Sequence, residues 1–294
     1  MSTRARTSLP TFVVIGALKC GTTSLQHYLV QHPEVQMPAR KETNFFSGEP
    51  EGAPYAKGHK RVASLREYEA LFDPAASARG EASPNYTAHP VRRDTAKRMW
   101  EAVPEARLVY LVRDPVQRTL SHFHHRVSVE AERRPLREAF ADLSDTRSIY
   151  TCASRYAMQL EQYLSYFPQE QLLVVDQADL RSNRAQTLAE IFAFLSVDHS
   201  FNSERFEEEV NTGRERRTYS SFVVWVRRAQ ATPLQRLPRG LRVRMRRLGE
   251  VVTSRPLPPP QADAELLARL RELYAPEAAR LRTITGKTFP TWSV

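Results

Sequence analysis

Cysteine is scarce in this sequence, and long apolar runs are missing from it. Its 294 residues include two cysteines, Cys20 and Cys152, and a chain of this length can bury a core without a disulfide scaffold. We therefore predict two free thiols in a reducing compartment. No apolar run approaches the roughly 20 residues that cross a bilayer, and residues 1–7 lack the apolar stretch of a secretory signal. Both features predict a cytoplasmic location.

Lysine is absent from the most basic part of the chain. The formal net charge is +10, and residues 213–255 carry twelve arginines against two acidic residues. A basic field concentrates anions, so phosphate or sulfate ligands, acidic polymers, anionic proteins and membrane surfaces all remain open as partners. The whole chain is 41% hydrophobic and 26% charged, which excludes a disordered or fibrous protein.

Short apolar runs at residues 12–16, 108–112 and 172–175 have the length of strands that are buried on both faces. Helical spacing predicts helices over residues 23–31, 91–103, 155–167, 184–195 and 262–286. This alternation predicts an α/β fold with a central parallel sheet flanked by helices. We expect one domain over 1–294, in which 213–260 is an Arg-rich helical insertion or acceptor-side subregion and 261–294 is a C-terminal helix packed on the body.

The residues after the first strand form a candidate anion site. From 16 to 25 they read Gly-Ala-Leu-Lys-Cys-Gly-Thr-Thr-Ser-Leu and lead directly into a helix. Backbone N–H groups and the positive end of the helix dipole converge at such a turn. Gly21 lets the backbone approach an anion, Lys19 adds a mobile charge, and hydroxyl donors come from Thr22, Thr23 and Ser24. The alternative is a plain strand-to-helix turn that a threonine caps.

A second candidate anion site follows the second apolar run. Arg113 stands at the end of that run, where a guanidinium can fork two hydrogen bonds onto a phosphate. Pro115 can open a helix, and Ser121 would lie about two turns along it. Because ligands of open α/β sheets bind beyond the carboxyl ends of the strands, we expect both segments to meet at one edge.

Taken together, the two segments resemble those of the sulfotransferases that use 3′-phosphoadenosine 5′-phosphosulfate (PAPS). The first resembles their phosphosulfate loop, Gly-x-x-Lys-x-Gly-Thr-Thr/Ser-Ser/Ala-Leu, and the second their Arg-Asp/Asn-Pro segment with a serine eight residues after the arginine. The resemblance covers residues 11–201 and weakly 281–292, and it implies a P-loop-like three-layer fold. It also implies that Lys19 holds the leaving oxygen, and that Arg113 and Ser121 bind the 3′-phosphate of the donor.

The segment Lys41-Glu42-Thr43-Asn44-Phe45-Phe46 resembles the Lys-Glu-x-x-Phe-Phe segment of the bacterial and glycosaminoglycan sulfotransferases. The resemblance implies that Glu42 is the base that removes the acceptor proton. It also implies a loop over the donor that carries Arg216 and Arg217. The residues expected near the acceptor are Lys41, Phe45, Ser83, Tyr86 and His122, and His122 with the neighbouring His124 and His125 forms the rival set of bases.

We therefore predict an enzyme that transfers a sulfuryl group from PAPS to a hydroxyl, with an amine as second choice, and releases 3′-phosphoadenosine 5′-phosphate (PAP). The acceptor class stays open among small molecules, lipids and glycans, and an acidic carrier protein or an anionic membrane surface is a possible partner. We expect no metal requirement and no specific nucleic acid. The alternatives are an ATP-dependent P-loop-type kinase and a non-enzymatic protein that binds polyanions through residues 213–255.

Overall fold

The computed structural model describes residues 8–48, 61–129, 132–208, 217–218 and 255–294. Within them lies a parallel sheet with the strand order β2-β3-β1-β4-β5. Its strands are β1 (Phe12–Gly16), β2 (Val35–Gln36), β3 (Ala78–Ala82), β4 (Arg107–Val112) and β5 (Leu172–Asp176). The predicted α/β fold with a central parallel sheet is confirmed.

Helices flank this sheet and connect its strands. They are α1 (Thr22–Leu29), α2 (Leu65–Glu69), α3 (Thr95–Ala102), α4 (Pro115–Ser128), α5 (Leu136–Ala139), α6 (Tyr156–Leu164), α7 (Gln177–Ser182), α8 (Arg184–Leu195) and α9 (Ala264–Thr285). The helix predicted over 184–195 has those bounds. Helix α1 begins one residue before its predicted start and ends two residues before its predicted end, and the other three predicted helices are shorter at both ends. Fraying and capping decide such ends, and the periodicity of the sequence does not record them.

The three apolar runs form strands, as predicted, and these strands make up the middle and one side of the sheet. Every residue of β1 is buried, and so are Leu108–Val112 of β4. β4 begins one residue earlier than predicted and β5 ends one residue later. Strands β2 and β3 were not predicted, because β2 has only two residues and β3 contains an arginine, a glycine and a glutamate within five positions.

Gly80 in β3 makes room for an aromatic ring of β1. Phe12 pairs with Gly80 across the two parallel strands, and a Cβ atom on Gly80 would lie 2.1 Å from the Phe12 Cζ atom. Because Phe12 is buried in the core and β1 is held on both sides, the ring has little space into which it could move.

We expect Gly80→Ala to lower the free energy of unfolding by about 1–3 kcal/mol, the usual cost of overpacking a core. Urea denaturation followed by circular dichroism measures the change. The double variant Gly80→Ala with Phe12→Leu should recover part of that loss, because the smaller side chain relieves the same contact. An unchanged unfolding midpoint in Gly80→Ala would contradict this account of the β1–β3 packing.

The C-terminal segment returns to the carboxyl edge of the sheet. Helix α9 is capped by Asp263, whose Oδ1 accepts the Leu266 amide at 2.9 Å, and the helix packs on α6 and α4. Beyond it, Trp292 Nε1 donates to Asp176 Oδ2 at 3.0 Å, and the Ser293 amide donates to Asp114 Oδ2. The tail therefore lies beside the ends of β4 and β5, where the second candidate segment begins.

The ends of the Arg-rich part of the chain pair with each other. Strand β6 (Arg217–Thr218) runs antiparallel to β7 (Arg255–Pro256), and β6 lies against α4. Residues 219–254 between them are outside the described residues. The expected helical character of 213–260 and its place as an acceptor-side subregion therefore stay predictions.

Candidate active site

The predicted phosphate loop connects β1 to α1. Gly21 is the N-cap residue, with φ of 93°, a left-handed conformation that favours glycine. Because the N-cap residue has no side chain, it does not cap the first turn of α1, and the threonines that follow it lie inside the helix. Thr22 is buried, whereas Lys19, Thr23 and Ser24 are half-buried. The local geometry is that of an anion-binding helix N-terminus.

The second predicted segment connects β4 to α4. Asp114 caps α4 by accepting the Gln117 amide at 2.8 Å, and Pro115 is the first helical residue, as predicted. Arg113 lies at the carboxyl end of β4 and is half-buried, and so is Ser121 farther along α4. The carboxylate of Asp114 therefore accepts hydrogen bonds from backbone amides. Arg113 lies at the carboxyl edge of the sheet, where the phosphate loop also begins.

Two contacts bring these segments together. The Ala17 amide donates to the Leu111 carbonyl oxygen at 2.7 Å, which continues the β1–β4 pairing into the loop. The Tyr156 hydroxyl lies 3.5 Å from Cys20 Sγ and accepts the Arg113 amide at 3.3 Å. Sequence reasoning did not find Tyr156, because it lies at the start of α6, far from both segments along the chain. Its buried hydroxyl ties the two loops at one edge of the sheet.

Both cysteines are free, as predicted, and both are buried. Burial raises the pKa of the Cys20 thiol to about 11, against a smaller opposing effect of its hydrogen bond with Tyr156. Burial likewise raises the pKa of Cys152 to about 11. Both side chains are therefore protonated thiols at neutral pH, and neither has the thiolate character of a nucleophile. Cys20 contributes packing and a contact to Tyr156 beneath the phosphate loop.

The Lys-Glu segment lies against the first turn of α1. Lys41 Nζ donates to the Thr23 hydroxyl. Burial lowers the pKa of Lys41, and the charge of Glu42 opposes that shift. Glu42 is half-buried, and its backbone has φ of 55°, which is a left-handed conformation. Lys41 thus places the candidate base next to the phosphate loop, although the two segments are separate in the sequence.

Ser83 and Tyr86 lie beneath this segment and are buried. Ser83 Oγ donates to Glu81 Oε2 at 2.6 Å, and the Tyr86 hydroxyl donates to Glu81 Oε1. Burial raises the pKa of Tyr86 well above its usual value, and the nearby charge of Glu81 adds to the shift. Both hydroxyls are thus engaged inside the protein. Sequence reasoning missed Glu81, since no local pattern marks a carboxylate in a strand as buried.

The rival histidine lies on α4. His122 is buried and its ring packs edge-on against Tyr150, with ring centroids 5.2 Å apart. Burial lowers the pKa of His122 well below its usual value, and the positive charge of Arg118 adds to the shift. His124 Nε2 lies 3.2 Å from the Leu257 carbonyl oxygen. His122 is therefore neutral at pH 7 and holds a proton poorly.

The remaining predicted residues lie at the margin of the site or outside the described residues. The Phe45 ring stacks on Tyr68 with centroids 4.3 Å apart, so it covers the aromatic cluster beneath the Lys-Glu segment. Arg216 lies outside the described residues, and for Arg217 the structure describes only the backbone, in β6. Their predicted contact with the donor stays a prediction.

Comparison with known proteins identifies the family. Residues 9–222 match the family model of the sulfotransferase domain, and the chain belongs to this family of PAPS-dependent enzymes, which confirms the resemblance. A crystal structure of a sulfotransferase from Alicyclobacillus acidocaldarius is 27% identical and superposes with a TM-score of 0.70 over 97% of this chain and 99% of that one. The residues that the structure describes therefore have the fold of the family.

Curated relatives include several heparan sulfate enzymes. The bifunctional heparan sulfate N-deacetylase/N-sulfotransferase 4 of Mus musculus is 31% identical over 66% of this chain and 23% of its own length. The heparan sulfate glucosamine 3-O-sulfotransferase 3B1 of Homo sapiens is 26% identical over 96% of this chain and 64% of its own length. The chain thus matches about a quarter of the first relative and less than two thirds of the second.

Two further properties of the described residues concern membranes and metals. No helix in the described ranges combines the length and the hydrophobicity that a membrane crossing requires. Within the same ranges, no three His, Cys, Asp or Glu side chains are grouped in a way that could hold a metal ion. The cytoplasmic location stays a prediction, and so does the absence of a metal requirement.

Proposed function

We propose that this protein transfers a sulfuryl group from PAPS to an acceptor hydroxyl, with an amine as the second choice. The observation that carries the proposal is the hydrogen bond from Lys41 to the Thr23 hydroxyl. It places the Lys-Glu segment at the N-terminus of α1, so that a candidate base and a candidate phosphate site share one edge of the sheet.

The residues at this edge fit the two charged ends of the donor. The uncapped first turn of α1, the Lys19 side chain and the hydroxyls of Thr23 and Ser24 suit the 5′-phosphosulfate. Arg113 and Ser121 suit the 3′-phosphate, because a guanidinium and a hydroxyl are hydrogen-bond donors to phosphate oxygens. The two sets belong to adjacent strands, and Tyr156 holds their loops together. One doubly charged nucleotide can therefore span them.

The chemistry that we propose is a direct displacement. The acceptor oxygen attacks the sulfur atom while the bond from sulfur to the bridging phosphate oxygen breaks. Glu42 removes the acceptor proton, and Lys19 with the amides of the α1 N-terminus stabilises the charge on the departing phosphate. Holding the two reactants in line supplies much of the remaining rate enhancement.

The acceptor that we propose is a hydroxyl of a glycan, lipid or small molecule. The heparan sulfate enzymes among the relatives support a glycan, and the arginines of residues 213–255 would attract an anionic one. An acidic carrier protein or an anionic membrane surface fits the same charge. A panel of desulfated heparan oligosaccharides, neutral glycans and long-chain alcohols, assayed with radioactively labelled PAPS, separates these classes.

We expect PAP to stabilise the protein against heat more than ATP with magnesium does. At a ligand concentration about one hundred times its Kd, binding to the folded state adds about 2.7 kcal/mol, which a thermal shift assay detects as a rise in Tm. PAP carries the 3′-phosphate that Arg113 and Ser121 would hold, whereas ATP lacks it. Adenosine 5′-phosphate serves as the matched control, since it differs from PAP only by that group.

Three results would change the proposal. Stabilisation by ATP with magnesium and not by PAP would favour a kinase. No response to either nucleotide, combined with strong salt-dependent binding to heparin and to DNA alike, would favour a polyanion-binding protein. Equal stabilisation by PAP and adenosine 5′-phosphate would show that the site does not recognise the 3′-phosphate.

A further inference from the structure

Glu81 is a buried carboxylate beneath the Lys-Glu segment. It is 1% exposed and accepts hydrogen bonds from the hydroxyls of Tyr68, Ser83 and Tyr86, and the Thr43 hydroxyl, which lies in the turn above it, also interacts with it. Tyr68 donates to Oε1 at 3.1 Å, Ser83 donates to Oε2 at 2.6 Å, and Tyr86 donates to Oε1. Burial raises the pKa of the Glu81 carboxyl, and the hydrogen bond from Ser83 opposes this shift. Both carboxylate oxygens thus act as acceptors inside the core.

Two of these three hydroxyls also contact the backbone that follows Glu42. Ser83 Oγ accepts the Asn44 amide at 3.1 Å, and the Tyr86 hydroxyl oxygen accepts the Phe46 amide at 3.4 Å. A hydroxyl has one proton to donate and two lone pairs to accept with. Because the proton of each hydroxyl is donated to Glu81, its lone pairs are left for the two amides. Glu81 therefore sets the direction of both hydrogen bonds.

The backbone held in this way is strained. Glu42 and Asn44 have φ of 55° and 50°, in the left-handed region that residues with side chains rarely occupy. Such conformations persist only where the surrounding structure fixes them, and they cluster at functional sites. The amides of Asn44 and Phe46 are two of the points at which the fold holds the turn, beside the Thr43 hydroxyl, which lies 3.3 Å from the Tyr86 hydroxyl, and the Phe46 carbonyl oxygen, which accepts Arg98 Nε at 2.9 Å.

We propose that Glu81 is a positioning residue for Glu42: through Ser83 and Tyr86 it fixes the turn of residues 42–46, and so the direction of the candidate base. This inference rests on the proposed role of Glu42 as the base. It requires no contact between Glu81 and the substrates. The sequence predicted that Ser83 and Tyr86 lie near the acceptor. In this inference they instead support the turn from beneath.

Tyr68 provides a matched control. Its hydroxyl donates to the same Glu81 oxygen as that of Tyr86, and its ring packs against Phe45 and Phe46. The described contacts of the Tyr68 hydroxyl include no amide of the turn. Tyr68→Phe therefore removes a hydrogen bond to Glu81 while it keeps the ring packing and both bonds to the turn.

The test compares Glu81→Gln, Ser83→Ala and Tyr86→Phe with Tyr68→Phe. In Glu81→Gln an amide NH₂ replaces one acceptor oxygen, so at least one hydroxyl loses its acceptor and can turn its proton toward the backbone amide. We expect amide hydrogen exchange in residues 41–47 to be about tenfold faster or more in the first three variants. We also expect kcat to fall by about 10- to 100-fold, the scale of a misplaced catalytic group, with the KM for PAPS little changed. Tyr68→Phe should leave both quantities near the wild type.

Defined outcomes would overturn the inference. The inference is wrong if Ser83→Ala and Tyr86→Phe leave both kcat and the amide hydrogen exchange of residues 41–47 unchanged. If Glu81→Gln does not fold, these two variants alone provide the test. Equal losses in Tyr68→Phe would show that the cluster acts only through general stability. The role of the base is judged separately: if Glu42→Gln keeps full turnover, the proposed function is wrong in that part, while the exchange data still report whether Glu81 fixes the turn.

Discussion

Replacing Glu42 with glutamine is expected to lower kcat by about 10²- to 10⁴-fold, the usual contribution of a positioned general base. The amide has nearly the same shape as the carboxylate but cannot take the acceptor proton. Because Lys41 and the turn of residues 42–46 keep their contacts, PAP binding in the thermal shift assay should be unchanged. The measurement is the initial rate of label transfer from PAPS to whichever acceptor the panel identifies, over a range of acceptor concentrations.

Glu105→Gln is the matched control for this variant. Glu105 is exposed and precedes β4, at the opposite edge of the sheet from the candidate site, so its substitution should leave kcat unchanged. Full turnover in Glu42→Gln, together with a large loss in His122→Ala, would move the base to α4. We do not expect that outcome, because burial and the charge of Arg118 lower the pKa of His122 well below its usual value, which makes it a weak base.

The parts of the site that were predictable are contiguous in the sequence. The phosphate loop needs only a buried strand, Gly21 and a helix that starts at the next residue, and local patterns record each of these. The Arg113 segment is equally local, because Pro115 and Asp114 specify the start of α4. Strand β3 was missed because its residues are adapted to contacts that are not local in the sequence. Gly80 makes room for the Phe12 ring on another strand, and Glu81 accepts the hydroxyls of Tyr68, Ser83 and Tyr86.

Contacts between distant segments were beyond the reach of sequence patterns. Lys41 and Thr23 are 18 positions apart, and Asn44 and Ser83 are 39 positions apart. The family resemblance supplied Glu42 as a candidate base, but it did not show what holds the surrounding turn. That information lies in the pairing of β2 with β3, because residues 42–46 follow β2 and residues 81–86 include the end of β3. Sequence patterns thus located the charged groups, while the parallel sheet determined which of them meet.

Lys19→Ala is expected to lower kcat/KM by about 10²- to 10³-fold, because removing one group that stabilises charge in a transition state has an effect of this size. Lys19 lies in the loop before the α1 N-terminus, and its charge contributes to the low pKa of His122 on α4. Kinetics with labelled PAPS give the loss, and PAP titration by calorimetry shows how much of it comes from binding. Lys19→Arg should retain part of the activity, since the charge is kept but its position is changed.

The same variant separates sulfuryl transfer from simple polyanion binding. If residues 213–255 account for the affinity for heparin, Lys19→Ala should leave that affinity and its salt dependence nearly unchanged while turnover collapses. Lys287→Ala is the matched control, because this lysine pairs with Glu190 on α8 and should affect neither quantity. Wild-type turnover in Lys19→Ala would contradict the role of the β1–α1 loop as the site of the leaving phosphate. A parallel loss of heparin affinity and turnover would mean that the loop is part of a general anion surface, and the proposed enzyme would lose its main support.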